Sequence, residues 1–381
     1  MPMFHAAASV PAYLAQLPPE LRQRAADYTH GGHWIVLASA IVGVLINLAI
    51  LRLGWLSRLR RHWERRGPRP WSASLVVFAA YFLLAWLLDL PWALYARWWR
   101  EVRYGLSQQP AGAWLAESLI SAAFSALLLG LVVMLLYALM RRSPRRWWLW
   151  SSLVSSGVLA LAMLLAPAVI EPAFNHFQPL PAGSPRDAIA GLARQAGIGP
   201  ERIVWYDGSK QSNQYTAHVS GLGASARVAV SDALLRQAST AELRAVVGHE
   251  IGHYVLHHTL WLTLGYAVLL TLAFGIAHWR LGPQDDPAGL PRLSILFTLC
   301  FLLLTPVTNS MTRLVENQAD AYGLAHAQEA DGMAIALLRS ADYRAPEPGP
   351  LEEWLLYDHP SIAHRIQHAL DWKAAAAAQA R

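Results

Sequence analysis

The chain has 381 residues, of which 55% are hydrophobic and only 15% charged, with 17 Trp and a mean hydropathy of +0.27. Soluble domains carry nearer a quarter charged residues, so this composition excludes an ordinary water-soluble protein and points to the bilayer. The formal charge of +6 comes from arginines clustered beside apolar runs, without interleaved base-stacking aromatics, which argues against a nucleic-acid partner.

Residues 1–32 form a polar, helix-prone lead containing Pro11, Pro18 and Pro19. They show neither the basic flank nor the apolar stretch of a cleavable signal, so insertion is expected to use the first apolar run itself. Residues 33–170 hold four such runs: Trp34–Leu51, Trp71–Leu88, Ser118–Met140 and Trp147–Ile170. Each approaches the length needed to cross ~30 Å of hydrocarbon, and Trp and Tyr cluster at several ends as interfacial anchors. Arg58, Arg60, Arg61, Arg65, Arg66 and Arg69 crowd the first loop, and Arg141, Arg142, Arg145 and Arg146 form the third. By the positive-inside rule both loops are cytoplasmic. Four crossings then put the following segment on the opposite, periplasmic side.

Residues 171–258 read as a water-soluble insert of mixed α/β character, with a helix at Pro185–Ala196 and short strands at Arg202–Tyr206, Tyr215–Val219 and Arg227–Val230. Ser239-Thr240-Ala241-Glu242 has capping-box spacing, and Leu243, Val246 and Val247 continue it as an apolar helical stripe. On that helix lies His249-Glu250-Ile251-Gly252-His253. Positions i and i+4 share a face, so both imidazoles can reach one metal ion, with the Glu250 carboxylate beside them. That pattern makes a hydrolytic zinc site. Glu250 is the expected general base, acting on zinc-activated water.

Catalytic zinc takes three protein ligands and leaves one position open. His257 looks like a third ligand, but eight helical residues span ~12 Å while Zn–N bonds are ~2 Å, so a straight helix excludes it. His257 and His258 are expected at the interface or behind the ligands. The lone Cys300 excludes a disulfide within the chain and a cysteine-based zinc site. Residues 259–312 supply two more spans, Thr259–Trp279 and Leu293–Thr312, giving about six in all. In the tail, 313–381, Glu316 and Asp320 are again i and i+4. Glu316 is the expected third ligand. Asp320 would accept the free N–H of a ligand His. His359 could donate to the oxyanion, and Arg365 could bind substrate or pin the surroundings of Glu250. Ala374–Ala380 reads as a fraying helix without function.

Together these residues resemble the type I CAAX prenyl endopeptidases, the zinc membrane proteases that process prenylated substrates. Asp89–Tyr95, Arg100–Gly105, Ala168–Pro181, Asp207–Lys210 and Val219–Gly223 match that family in order, as do the zinc motif, Glu316–Asp320 and His359-Pro360 with Arg365. The resemblance implies a mostly α fold, with a ring of polytopic membrane helices enclosing a chamber and a small α/β zincin-like metalloprotease domain capping it. It implies one zinc held by His249, His253 and Glu316, with Asp320 as supporting acid. It also implies an edge strand that holds the substrate backbone at Thr216, Ala217 and His218, although Thr216 lacks the family's amide. Leu314 and Asn317 stand where the family has Arg and an aromatic. With 29 Arg against 2 Lys, the composition suggests a GC-rich bacterial source, and hence an inner-membrane enzyme. The expected substrates are peptides or proteins at the bilayer, prenylated or not. A heat-shock-type membrane quality-control protease and a non-catalytic zinc scaffold are the alternatives. The first lacks the Asp89–Gly105 segment, and the second needs a fourth protein ligand of no obvious spacing.

Overall fold

The computed structural model describes residues 4–65, 67–282 and 285–379. Arg66 of the first basic loop and Ala380 of the terminal alanine stretch lie outside them. A short helix, α1 (Val10–Leu14), precedes α2 (Pro19–Leu53), which begins about four turns ahead of the first apolar run. Pro19 opens α2, where a missing N–H costs nothing. Gly54, at φ 63°, ends it and turns the chain into the basic helix α3 (Trp55–Trp63). Next, α4 (Pro70–Ala93) runs through a π-helical stretch into α5 (Arg100–Arg103). Then come α6 (Ala111–Arg142) and α7 (Trp147–Leu165), with a second π-helical stretch leading to α8 (Glu171–Phe174).

The insert follows: β1 (Phe177–Pro179), α9 (Ser184–Gln195), β2 (Ile203–Tyr206), β3 (Ala217–Ser220), β4 (Arg227–Ser231), α10 (Asp232–Gln237) and α11 (Thr240–Val255). Its sheet has the order β1-β2-β4-β3, with β2 and β4 parallel and both outer pairs antiparallel. Strand β3 is therefore an edge, and His218 faces Ala229 in register. Ile189, Leu192 and Ala193 of α9 bury against Ile203, Val228 and Val230 of the sheet and Leu243, Val247 and Ile251 of α11.

The chain re-enters the apolar layer as α12 (His258–Leu281) and α13 (Leu290–Leu303). The last expected span is broken: α14 (Thr305–Ala327) leaves α13 at 54°, with Pro306 in its first turn. Proline at that position cannot continue a preceding helix's hydrogen bonding. The tail closes with α15 (Ala330–Arg339), α16 (Pro350–Leu356) and α17 (Ile362–Gln379).

Among the described residues five helices are each long and apolar enough to cross a membrane, six with the bent pair. They touch in the cyclic order α2, α4, α6, α7, α12, α13 and back to α2. Only 11–22% of the most apolar window of each single helix is buried. Helices in a solid bundle bury one broad face; these leave most of their apolar surface unburied by the protein. The soluble insert and tail cap one end. At the other end Arg60 of α3 pairs with Asp286 of the α12–α13 connection, 2.8 Å apart. The N-terminal lead is tied down at the capped end, where Phe4, Tyr13, Leu14 and Leu17 bury against α15 and α17.

Candidate metal centre

Helix α11 begins where its sequence says it must. Ser239 N–H donates to Glu242 Oε2 at 2.8 Å, and Glu242 N–H returns a bond to Ser239 Oγ at 3.3 Å. Glu242 also holds Arg339 of α15, which fixes the start of α11 on the tail. Further along, α11 crosses α14 at backbone contact. A Cβ on Gly323 would lie 2.9 Å from His249 N, and one on Gly252 would lie 3.1 Å from Ala319 Cα. Small residues on both helices therefore set the spacing. They bring the i, i+4 imidazoles of α11 against the i, i+4 carboxylates of α14.

The three expected ligands converge. His249 Nε2 and His253 Nε2 are 3.1 Å apart, and each lies 3.3 Å from one oxygen of Glu316. Donors bound ~2.0 Å from one tetrahedral ion stand ~3.3 Å from each other, so the spacing fits a metal of zinc's size and geometry. Glu316 Oε2 is buried and makes no hydrogen bond, as a carboxylate poised for a cation does. The donor set is two imidazoles and a carboxylate, which leaves a position for solvent.

Two supports stand behind the imidazoles. Asp320, fully buried, lies 2.8 Å from His249 Nδ1, and Arg365 donates to both of its oxygens. Although burial lowers the His249 pKa, its contacts with Asp320 and Glu316 raise it to about 10. His258 reaches back to His253, Nδ1 to Nδ1 at 2.9 Å, and its Nε2 is 3.0 Å from Gln318 Oε1. Sequence spacing alone does not single out His258, which is five residues from His253 and so on another face of a straight helix. His257 is exposed and is no part of the donor set. Its left-handed backbone, φ 55° and ψ 36°, breaks α11 from α12 and redirects the next residue.

The site opens on a cavity of about 780 Å³, lined by His249, Glu250, Glu316, His359 and Arg365 among others. Burial raises the Glu250 carboxyl above its ordinary value, and the neighbouring His249 and His253 oppose that shift. His359 Nε2 is 3.3 Å from Glu316 Oε1, while its Nδ1 is 2.9 Å from Asp358 Oδ1. Thr216, Ala217 and His218 sit at the edge strand. The Thr216 hydroxyl is 2.8 Å from Tyr206 Oη, turned toward the sheet. His218 Nε2 lies 3.5 Å from Glu171, which pairs with Arg227. The cavity wall is formed there by Asn213, Gln214 and Tyr215, just ahead of the strand.

A ring of membrane-length helices capped by a His/His/carboxylate cluster on two crossing helices defines a polytopic membrane metalloprotease. Comparison with known proteins agrees and narrows the class. Residues 179–373 match peptidase family M48, and residues 2–176 match the CAAX prenyl protease N-terminal region, described as five membrane helices. The chain belongs to peptidase family M48 and is a metalloendopeptidase. It is 30% identical over 338 residues to the uncharacterized metalloprotease YhfN of Bacillus subtilis, covering 84% of this chain and 79% of that protein. It is 28% identical to CAAX prenyl protease 1 of Saccharomyces cerevisiae, covering 79% of this chain and 72% of the relative. The crystal structure of S. mikatae Ste24p superposes with a TM-score of 0.77 at 22% identity, over 93% of this chain and 90% of that one. That likeness is one of fold.

Proposed function

We propose that the chain is a zinc-dependent endopeptidase that cuts peptides presented at the membrane, with prenylated CAAX-type peptides as the first class to test. The observation that carries this reading is the set of donor atoms of His249, His253 and Glu316, 3.1–3.3 Å apart, with His249 and Glu316 on the wall of a cavity shared with Glu250. The yeast relative's name, CAAX prenyl protease 1, supports the substrate class. Its functional parts are the lead (1–32), four membrane helices (33–170), the catalytic insert (171–258), two further helices (259–312) and the supporting tail (313–381).

His249, His253 and Glu316 would hold the zinc, which would supply Lewis acidity to polarise the peptide carbonyl and to acidify water. The chain's own residues do the rest. Glu250 takes a proton from the attacking water and hands it to the leaving amine nitrogen. His359, on the cavity wall, donates its Nε2 proton to the developing oxyanion. Asp320 and Arg365 hold His249 in orientation. The open edge of β3 offers main-chain groups to an extended substrate, and specificity there does not need the Thr216 side chain.

The catalytic end faces the periplasm of a bacterial inner membrane, because the arginine loops lie at the opposite end of the ring. A periplasm-dependent reporter fused after residue 381 should be active; activity only from a cytoplasmic reporter would reverse the orientation. Wild type and Glu250→Gln are compared on a prenylated CAAX peptide and its unprenylated twin. The variant is expected to keep its zinc and lose cleavage. A zinc-loaded wild type that cuts neither peptide would overturn the substrate class.

A further inference from the structure

We propose that His258 and Gln318 form an uncharged relay that sets the tautomer of His253, so that the two imidazoles of the centre are oriented by opposite means. This rests on the zinc reading above. His249 is backed by a charged pair, Asp320 and Arg365. Among the described residues His253 has no carboxylate behind it; its Nδ1 meets the Nδ1 of another imidazole, 2.9 Å away.

Two facing ring nitrogens share one proton, so one donates and the other accepts. Which does so is decided at the far side of His258, where Nε2 lies 3.0 Å from Gln318 Oε1. A carbonyl oxygen can only accept, so His258 Nε2 carries a proton. A neutral His258 then has an unprotonated Nδ1, which accepts from His253 Nδ1–H. His253 Nε2 is left with a free lone pair, and this is the atom facing His249 Nε2 and Glu316. Reversing the Gln318 amide would move every proton one step and place N–H on His253 Nε2, incompatible with ligation. The relay and the donor set are consistent in one sense only.

The backbone is shaped for this contact. On an unbroken helix, residues five apart point about 140° away from each other. His257, in the left-handed region at φ 55°, ends α11 and lets His258 start α12 while turned back onto His253. His258 is 1% exposed, although a buried imidazole is costly without partners on both nitrogens. Both partners are present, an imidazole on one side and an amide on the other. His258 is thus a positioning residue for His253, acting as an acceptor rather than as a charge.

The test is zinc affinity, measured on the detergent-solubilised full chain by chelator competition, with thermal unfolding as the check on folding. His258→Phe fills the site without an acceptor, and Gln318→Met removes the carbonyl. Both are expected to weaken zinc 10–100-fold. His258→Gln supplies an amide oxygen to His253, and Gln318→Glu keeps an acceptor. Both should bind within about threefold of wild type, and Co2+ bound to them should show the wild-type visible spectrum. Wild-type affinity in folded His258→Phe would overturn the relay, as would a His258→Gln variant as weak as His258→Phe. If His258→Phe does not fold, the Gln318 pair decides: equal affinities overturn the proposal, and a loss confined to Gln318→Met supports it. His253→Ala keeps the two failures apart, since undiminished zinc binding by that variant would reject the metal site itself.

Discussion

Arg365 grips both oxygens of Asp320, with Nε 2.8 Å from Oδ2 and Nη2 2.6 Å from Oδ1, and Asp320 has no exposed surface. An acid held this way is an anchor for His249 Nδ1 rather than a free proton donor. Asp320→Leu leaves the Arg365 cation buried beside an apolar group, which costs about 3–5 kcal/mol of stability. It also releases His249, weakening zinc 10–100-fold. Thermal unfolding and chelator competition read the two effects separately. Unchanged zinc affinity would remove Asp320 from the centre.

Gly323 and Gly252 set the separation of α11 and α14. Gly323→Ala would put a methyl 2.9 Å from His249 N, with backbone rather than a flexible side chain in the way. Overpacking of this kind costs about 1–3 kcal/mol. Here it also pulls Glu316 away from the imidazoles. The expected outcome is a lower melting temperature together with weaker zinc binding. A variant that binds zinc normally would show that the crossing tolerates more separation than its geometry suggests.

His257 carries backbone strain without using its side chain. His257→Gly relieves a left-handed conformation that costs an L-residue about 1–2 kcal/mol, so it should unfold at the same temperature or higher. His257→Val, β-branched, should unfold lower and lose zinc through displacement of His258. Equal behaviour of the two variants would separate the αL turn from the centre.

The Thr216 hydroxyl faces Tyr206 and not the cavity. Thr216→Val should therefore leave KM for a peptide substrate within about twofold. A tenfold rise would mean that the side chain touches substrate after all.

The helix start at Ser239, the zinc motif and the Glu316–Asp320 pair are legible because each is a matter of spacing along one helix. The membrane runs are legible for the same reason: hydrophobic length is local. Other features are not. Strand β1 has three residues and ends in Pro179, and it exists only because β2 offers it an edge. Helix α2 extends back to Pro19 through polar residues because that part stands above the apolar layer, against the tail. The bend at Leu304 has its cue in Pro306, but its angle comes from docking α14 on α11.

By itself the sequence determined the chemistry, two imidazoles on one helical face and two carboxylates on another, and the membrane setting, since both follow from periodicity and composition. Only the tertiary structure decided how the metal site closes. Gly252 and Gly323 let α11 and α14 approach to backbone contact, and the left-handed turn at His257 swings His258 onto His253. Neither can be read from spacing, because an interhelical distance and a helix break depend on what the rest of the chain packs against them.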